Sequence, residues 1–277
     1  MALPAQTQFF PLHPLLEPYV SVLVLTELKV TETGGYIDIF PVGYGVLSFI
    51  MDDTLPSFLD IDKSLPKFSL TGQLTRYYRH YFTPGNYRFF SAILKPYGAY
   101  RLLDTRQDAI VDNFIAIQDI IADGVAEFCD HMQTLSDQPE AGMRLLEQWL
   151  LHRLEVPVKQ VKLNEIIAAC RIIDAADGVK PIKEICTETG ISKSSLERHF
   201  LEKIGLTPKM YSRIIRFNKV YQTLKFGTYN NWQDVVYKFN FYDQAHFIND
   251  FKSFFNYTPS EIHKSRLNSE GVLGSAG

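Results

Sequence analysis

Long apolar runs are missing from this 277-residue chain: none reaches about 18 residues, so no membrane-spanning helix is expected. Cysteine is scarce. Cys129, Cys170 and Cys186 lie far apart and form no C-x-x-C pair, which argues against a dithiol or sulfur-rich metal site. An odd count suits structural thiols in the reducing cytoplasm, the expected location. Residues 1–14 hold three prolines and no basic cluster ahead of an apolar segment, so no signal peptide is expected. His13, His80, His131 and His152 show no H-x-H or H-x₃₋₅-H spacing, and neither H-E-x-x-H nor a nucleophile elbow occurs. Gly43-Tyr-Gly45 lacks the third glycine and the helix of a dinucleotide site and reads as a turn. No catalytic residue, metal or cofactor is expected.

The 46% hydrophobic and 21% charged composition is that of a globular protein, and the length favours two domains. Charge divides unevenly. Residues 162–266 hold 16 Lys/Arg against 11 Asp/Glu, whereas residues 1–161 hold 12 against 19. A basic half beside an acidic one suggests that only the former meets a polyanion, although a modest excess also fits solvated surface.

From about residue 9 to 110 the pattern is strands and turns. Tyr19-Val-Ser-Val-Leu-Val-Leu25, Tyr36 to Phe40 and Val46-Leu-Ser-Phe-Ile-Met51 are short apolar runs. Turn formers at Gly34-Gly35, Pro41 to Gly45, Asp52-Asp53, Pro84-Gly85-Asn86 and Pro96-Tyr-Gly98 separate them. A small sandwich or barrel is expected, with Asp52 and Asp53 solvated. Spacings of three and four then predict two amphipathic helices, over 110–133 and 140–154. Leu146, Trp149 and Leu150 form an apolar stripe on the second, which must meet either its own domain or a partner protomer. Pro157 marks a linker, residues 163–264 read as helical, and the Gly/Ser-rich tail 265–277 reads as disordered. The fold class is α+β: a β-rich N-terminal domain with two trailing helices over 1–157, then an all-α domain over 162–264.

That all-α half repeats itself. Ile182-Lys-Glu-Ile-Cys-Thr-Glu-Thr-Gly-Ile191 aligns with Trp232-Gln-Asp-Val-Val-Tyr-Lys-Phe-Asn-Phe241. After one inserted residue, Leu196 meets Phe247, Phe200 meets Phe251, Gly205 meets Asn256, and Thr207-Pro208 meets Thr258-Pro259. Each copy reads as helix, tight turn, helix. Ser192 in the first copy and Asp243 or a neighbour in the second are the expected caps, and Thr258-Pro-Ser-Glu261 fits a capping box. With Leu196 and Phe200 inward, Lys193, Ser194, Glu197 and Arg198 fall on the outer face of the first copy. Gln244, Ala245, Ile248 and Asn249 do so in the second, with Lys252 nearby. Two or three polar side chains side by side are what a helix needs to reach base edges in a major groove. Lys209 to Phe226 between the copies predicts one continuous helix, a strut able to hold both readers about one DNA turn apart.

Residues of roughly 164 to 264 resemble the AraC/XylS-type transcription-factor domain. The resemblance rests on Ile191-Ser-Lys-Ser-Ser-Leu-Glu-Arg-His-Phe200, on Phe241-Tyr-Asp-Gln-Ala-His-Phe-Ile-Asn-Asp-Phe251 with Lys252, and on Phe255-Asn-Tyr-Thr-Pro-Ser-Glu261. It implies promoter binding and action through RNA polymerase or by repression. Base contacts would fall at Ser194, Glu197, Arg198, Gln244, Ala245 and Asn249. The chain departs from the family's usual glycines at Asn240 and Asn256 and from its usual arginine at Asn249, which implies a weaker second reader.

Each residue also has a plainer reading. Lys193, Arg213, Arg216 and Lys252 are phosphate-contact candidates, and a solvated helix face accounts for each equally. Arg198 and Glu197 suit guanine and cytosine edges and equally a charged surface. His199 and His246 lie beside inward positions, where packing or an edge role is expected rather than catalysis. The aromatics Tyr77, Tyr78, Tyr81, Phe82, Tyr87, Phe89, Phe90, Tyr97 and Tyr100 suit either a core or an effector pocket. Three readings of the N-terminal half therefore stand: a small-molecule sensor, an enzyme-like or metal-binding barrel, and a pure assembly domain forming a homodimer. The partners expected of the whole chain are double-stranded promoter DNA, RNA polymerase and a small-molecule effector, with no membrane.

Overall fold

The computed structural model describes residues 5–31, 34–52, 54–58, 64–157, 163–226, 232–241 and 243–265. The expected tail from residue 266 on and part of the expected linker lie outside them, whereas Ser265 ends a helix.

β-Branched and aromatic residues dominate the strands of the first half. β1 (Ala5–Phe10), β2 (Val20–Val30), β4 (Val46–Ile50), β6 (Phe68–Thr71), β8 (Gly85–Leu94) and β9 (Phe114–Ala116) form an antiparallel sheet in the order β1-β2-β8-β4-β6-β9. A second sheet, β3-β7-β5, is built from β3 (Gly35–Ile39), β5 (Ser57–Phe58) and β7 (Tyr78–Phe82). Strand alternation sends successive side chains to opposite faces. Phe90 packs with Leu23, Leu25, Leu47, Phe49 and Leu70 towards the helices, whereas its neighbour Phe89 joins the small clusters around Phe82, Tyr87 and Ile50.

α1 (Gly98–Leu103), α2 (Val125–Thr134) and α3 (Pro139–Glu155) cover the larger sheet. The stripe on α3 faces inward. Leu146 and Leu150 are fully buried, and Trp149 sits edge-on to Phe68 at 5.2 Å. It is therefore covered by its own domain, which removes that reason for pairing protomers.

The helix expected over 110–133 is corrected by the structure. Only α2 is helical over that stretch beyond short 3₁₀ turns at Gln107–Ile110 and Ile117–Asp119; between them Phe114–Ala116 pairs with β6. Asp112 at φ +57° and Gly124 at φ +74° interrupt the helical path, and ladder hydrogen bonds outweigh a spacing that suited either structure. Asp52 is likewise not solvated: it accepts from the backbone N–H of Arg88 at 2.7 Å and lies 3.4 Å from its guanidinium.

The second half is helical: α4 (Asn164–Ala175), α5 (Ile182–Thr189), α6 (Lys193–Ile204), α7 (Pro208–Phe226), α8 (Trp232–Lys238), α9 (Gln244–Phe255) and α10 (Pro259–Ser265). One apolar core runs through it, from Ile166, Ile185, Leu196 and Phe200 to Phe217, Phe247 and Phe251. Tyr97 and Tyr100 of the first half belong to this core too. Six of the nine aromatics named as pocket candidates (Tyr78, Phe82, Tyr87, Phe90, Tyr97 and Tyr100) are buried, all but Tyr78 within the apolar core clusters.

Candidate nucleic-acid interface

α6 and α9 both start at a working cap. The hydroxyl of Ser192 accepts from the N–H of Ser195 at 3.3 Å, and Asp243 Oδ1 accepts from Ala245 at 2.8 Å and His246 at 3.3 Å. These bonds satisfy amides that a helix start otherwise leaves open. α10 starts at a reciprocal box. Thr258 N–H donates to Glu261 Oε2 at 2.6 Å, and Glu261 N–H donates to Thr258 Oγ1 at 3.3 Å. The turns take left-handed backbone at Gly190 (φ +69°) and Gly205 (φ +90°) in the first unit, and at Asn240 (φ +52°) and Asn256 (φ +57°) in the second.

On α6, Lys193, Ser194 and Arg198 are exposed and Glu197 is half-exposed, while Leu196 and Phe200 are fully buried. Lys193 and Glu197 make a loose pair at 3.9 Å with both side chains in solvent, so either is free to leave for a stronger partner. Arg198 makes no hydrogen bond or ion pair among the described residues. On α9, Ala245, Asn249 and Lys252 are exposed. Ile248 is only half-exposed, because one side of it packs on the helical core. Gln244 opens the helix, and its side chain lies outside the described residues. His246 sits at the edge rather than in the packing, 72% exposed, with its Nε2 3.6 Å from Asp250. His199 is half-buried, and burial, with Lys203 and Arg198 close by, lowers its pKa.

α7 holds the two units together. Its 19 residues make a rod about 28 Å long. Phe217 on it contacts Phe241, Phe247, Phe251 and Phe254 of the second unit at centroid distances of 5.1, 6.2, 6.3 and 4.9 Å. Arg213, a phosphate candidate by sequence, is tied to Asp250 of α9 at 2.9 Å.

The sheet domain touches both units away from the reading stripes. On the first, Tyr100 Oη donates to Glu202 Oε1 at 3.2 Å, and burial followed by the Glu202 charge pushes that phenol up to about 12. On the second, Asp38 accepts from Tyr77 at 2.8 Å, from Arg79 Nε at 2.6 Å and from Tyr257 at 2.6 Å. The Arg79 guanidinium also lies 3.7 Å over the Tyr36 ring. Burial opposes the Arg79 charge, but the hydrogen bond and charge of Asp38 outweigh it and raise its pKa. Beside this cluster, Phe40 packs edge-on to Phe255 at 5.3 Å, and Asn218 donates to the Pro41 carbonyl at 2.9 Å. Sequence reasoning did not single out Asp38 or Tyr257. They lie 219 positions apart, and no local pattern joins them.

Two capped helix-turn-helix units on one rod define the class: a double helix-turn-helix DNA-binding domain. The family model described as a helix-turn-helix domain matches residues 185–265. No curated protein matches the chain in sequence. Among solved structures, ToxT from Vibrio cholerae O395 is similar at 12% identity and TM-score 0.47, covering 96% of this chain and 99% of that one. ToxT from Vibrio cholerae strain SCE256, bound to an unsaturated fatty acid, is similar at 14% identity and TM-score 0.45, covering 91% and 96%. The xylose-binding transcription activator XylR is similar at 21% identity and TM-score 0.35, covering 47% of this chain and 39% of that one. No helix among the described residues is long and apolar enough to cross a membrane, and no group of three or more His, Cys, Asp or Glu among them is placed to hold a metal.

Proposed function

We propose that the chain is a transcription regulator and not an enzyme, reading two successive major-groove segments of a promoter with α6 and α9. Lys193, Ser194, Glu197 and Arg198 read the first segment. Gln244, Ala245, Ile248 and Asn249 read the second, with Lys252 on the backbone. The observation that carries this reading is the pair of capped helices, each with exposed residues on its outer face, joined by α7, a rod about 28 Å long that suits readers about one DNA turn apart. Residues 1–157 act as the input domain and 162–264 as the output domain. A small-molecule effector works through the input domain, whose contacts with both units give it a lever on their spacing. RNA polymerase is the partner on the output side, and pairing of protomers through the sheet domain is a further input.

The test is a binding titration of the full chain on promoter duplexes recovered by genomic footprinting, across a salt series. Affinity should fall steeply as salt rises, because phosphate contacts release counterions. A flat salt response, or no retardation on any recovered duplex, would sink the reading. Sedimentation of the full chain with and without DNA tests the pairing.

A further inference from the structure

The α4–α5 turn, the middle of α7 and the turn of the second helix-turn-helix unit line an open surface cleft of about 470 Å³, with Lys180, Glu184, Arg216 and Asn240 among its lining residues. The fold builds it closely. Gly178, at φ +72°, lies so near α7 that a Cβ there would come within 2.2 Å of the Ser212 carbonyl oxygen and 2.8 Å of the Arg216 amide nitrogen.

Arg216 is the unusual member. It is half-buried, with its guanidinium 4.0 Å over the Phe241 ring. Its Nε is inaccessible and has no hydrogen-bond partner, and no hydrogen bond or ion pair to Arg216 occurs among the described residues. Burial, and then the Arg213 charge, lower its pKa. A cation taken partly out of water normally has a counter-charge, because desolvation is otherwise uncompensated. Arg213, three residues earlier, has one in Asp250. Arg216 has the rings of Phe241 and Phe217, the cleft and, without a hydrogen bond, the charge of the Asp250 carboxylate that Arg213 already engages. Lys180 adds a second cation at the rim. It holds Glu188 at 2.5 Å, and an ammonium has further donors to offer. Glu184 is an exposed carboxylate in the same lining, where water screens it.

The placement suits DNA. Tyr211 and Ile215 of α7 face Gly43, Asn218 reaches Pro41 and Tyr221 packs on Phe40, so that side of the rod is covered by the sheet domain. Helical spacing puts Arg216 on another side, towards the space between the two units. If α6 and α9 lie in successive major-groove segments, the strand between those segments passes the middle of α7.

We propose that this cleft is a phosphate site in which Arg216, flanked by Lys180 and Asn240, receives one backbone phosphate of the DNA strand running between the reading helices. The inference rests on the DNA-binding reading above and adds a contact outside both reading stripes. It carries no sequence information, since phosphate contacts position rather than specify.

The experiment titrates the full chain, Arg216→Gln, Arg216→Lys and Lys180→Gln with a footprinted duplex and a scrambled one over a salt series. Thermal melts of each variant accompany the titrations. Arg216→Gln should weaken both duplexes by about tenfold, leave their ratio unchanged and reduce the salt slope by about one. Arg216→Lys should keep the slope, and Lys180→Gln, at the surface, should reduce it in the same direction by less. Failure of the unaltered chain to bind any duplex overturns the DNA-binding reading and this site with it. Normal binding by that chain, with slope and affinity unchanged in Arg216→Gln and Lys180→Gln, overturns the phosphate site alone. A changed ratio between duplexes would make Arg216 a base reader and overturn it as well. Inorganic phosphate stabilising the free chain but not Arg216→Gln, with the DNA salt slope unmoved, would assign the cleft to a free anion and overturn the DNA contact.

Discussion

Where α5 ends, the first unit turns through Gly190, and where α8 ends, the second turns through Asn240; Gly205 and Asn256 stand in the same relation at the ends of α6 and α9. All four have left-handed backbone, so the path is common while the residues differ. Asparagine adopts that conformation at a modest cost that glycine avoids. The second unit carries compensations the first lacks. Asp243 caps two amides where Ser192 caps one. Four phenylalanines surround Phe217. Asp38 of the sheet domain holds Tyr257 just beyond α9. The outer stripe of the first unit carries an unengaged Arg198, whereas that of the second carries the shorter, uncharged Asn249. On the proposed reading, the stronger reader thus sits on the unit held to the sheet domain through Tyr100, and the weaker one on the unit held through Asp38 and carrying the double cap.

The largest test of this contrast is Phe217→Ala, which should cost about 3–5 kcal/mol. Chemical denaturation would measure it, and hydrogen exchange should show α8 and α9 opening ahead of α5 and α6. Equal loss across both units would mean that the bracing is shared.

Next in size is the reading itself. Arg198→Ala should weaken binding to a footprinted site about tenfold to a hundredfold, the value of a good bidentate contact. Asn249→Ala should weaken it less, with any preference there towards A/T. Titrations against base-substituted sites decide the order, and the reverse order would remove the first unit's dominance.

The braces differ as well. Tyr257→Phe deletes a 2.6 Å bond to a carboxylate and should cost about 1–2 kcal/mol. Tyr100→Phe deletes a 3.2 Å bond to Glu202, whose side chain is 28% exposed, and should cost less. Matched thermal melts compare them.

At the caps, Asp243→Ala and Ser192→Ala should each cost about 1 kcal/mol, the former more because two amides lose their acceptor. The smallest effect is a gain. Asn256→Gly should stabilise by a few tenths of a kcal/mol if relief of left-handed strain exceeds the added freedom of the unfolded chain. A lower melting temperature would show that Asn256 is not strained.

Much of the DNA-binding half was legible because its signals are local. A cap acts on amides two or three residues away, a left-handed turn needs one permissive residue, and an apolar stripe repeats every three or four positions. The helix-turn-helix repeat, the rod between its copies and the exposed positions on α6 and α9 all follow from such short-range rules. Residues 110–133 were less legible, since their spacing suited a helix while Phe114–Ala116 had a strand partner elsewhere.

By itself, then, the amino-acid sequence determined the two helix-turn-helix units, their caps and the stripes they present. Tertiary structure decided what each stripe and each charge meets. It buried Leu146 and Leu150 and packed Trp149 within the sheet domain, and it gave Arg213 a carboxylate while leaving Arg216 over a ring beside a cleft. It also brought Asp38 to Tyr257 across 219 positions. The physical reason is range. Backbone hydrogen bonds and caps act within a turn, whereas burial and charge pairing depend on distant segments that meet only in the folded chain.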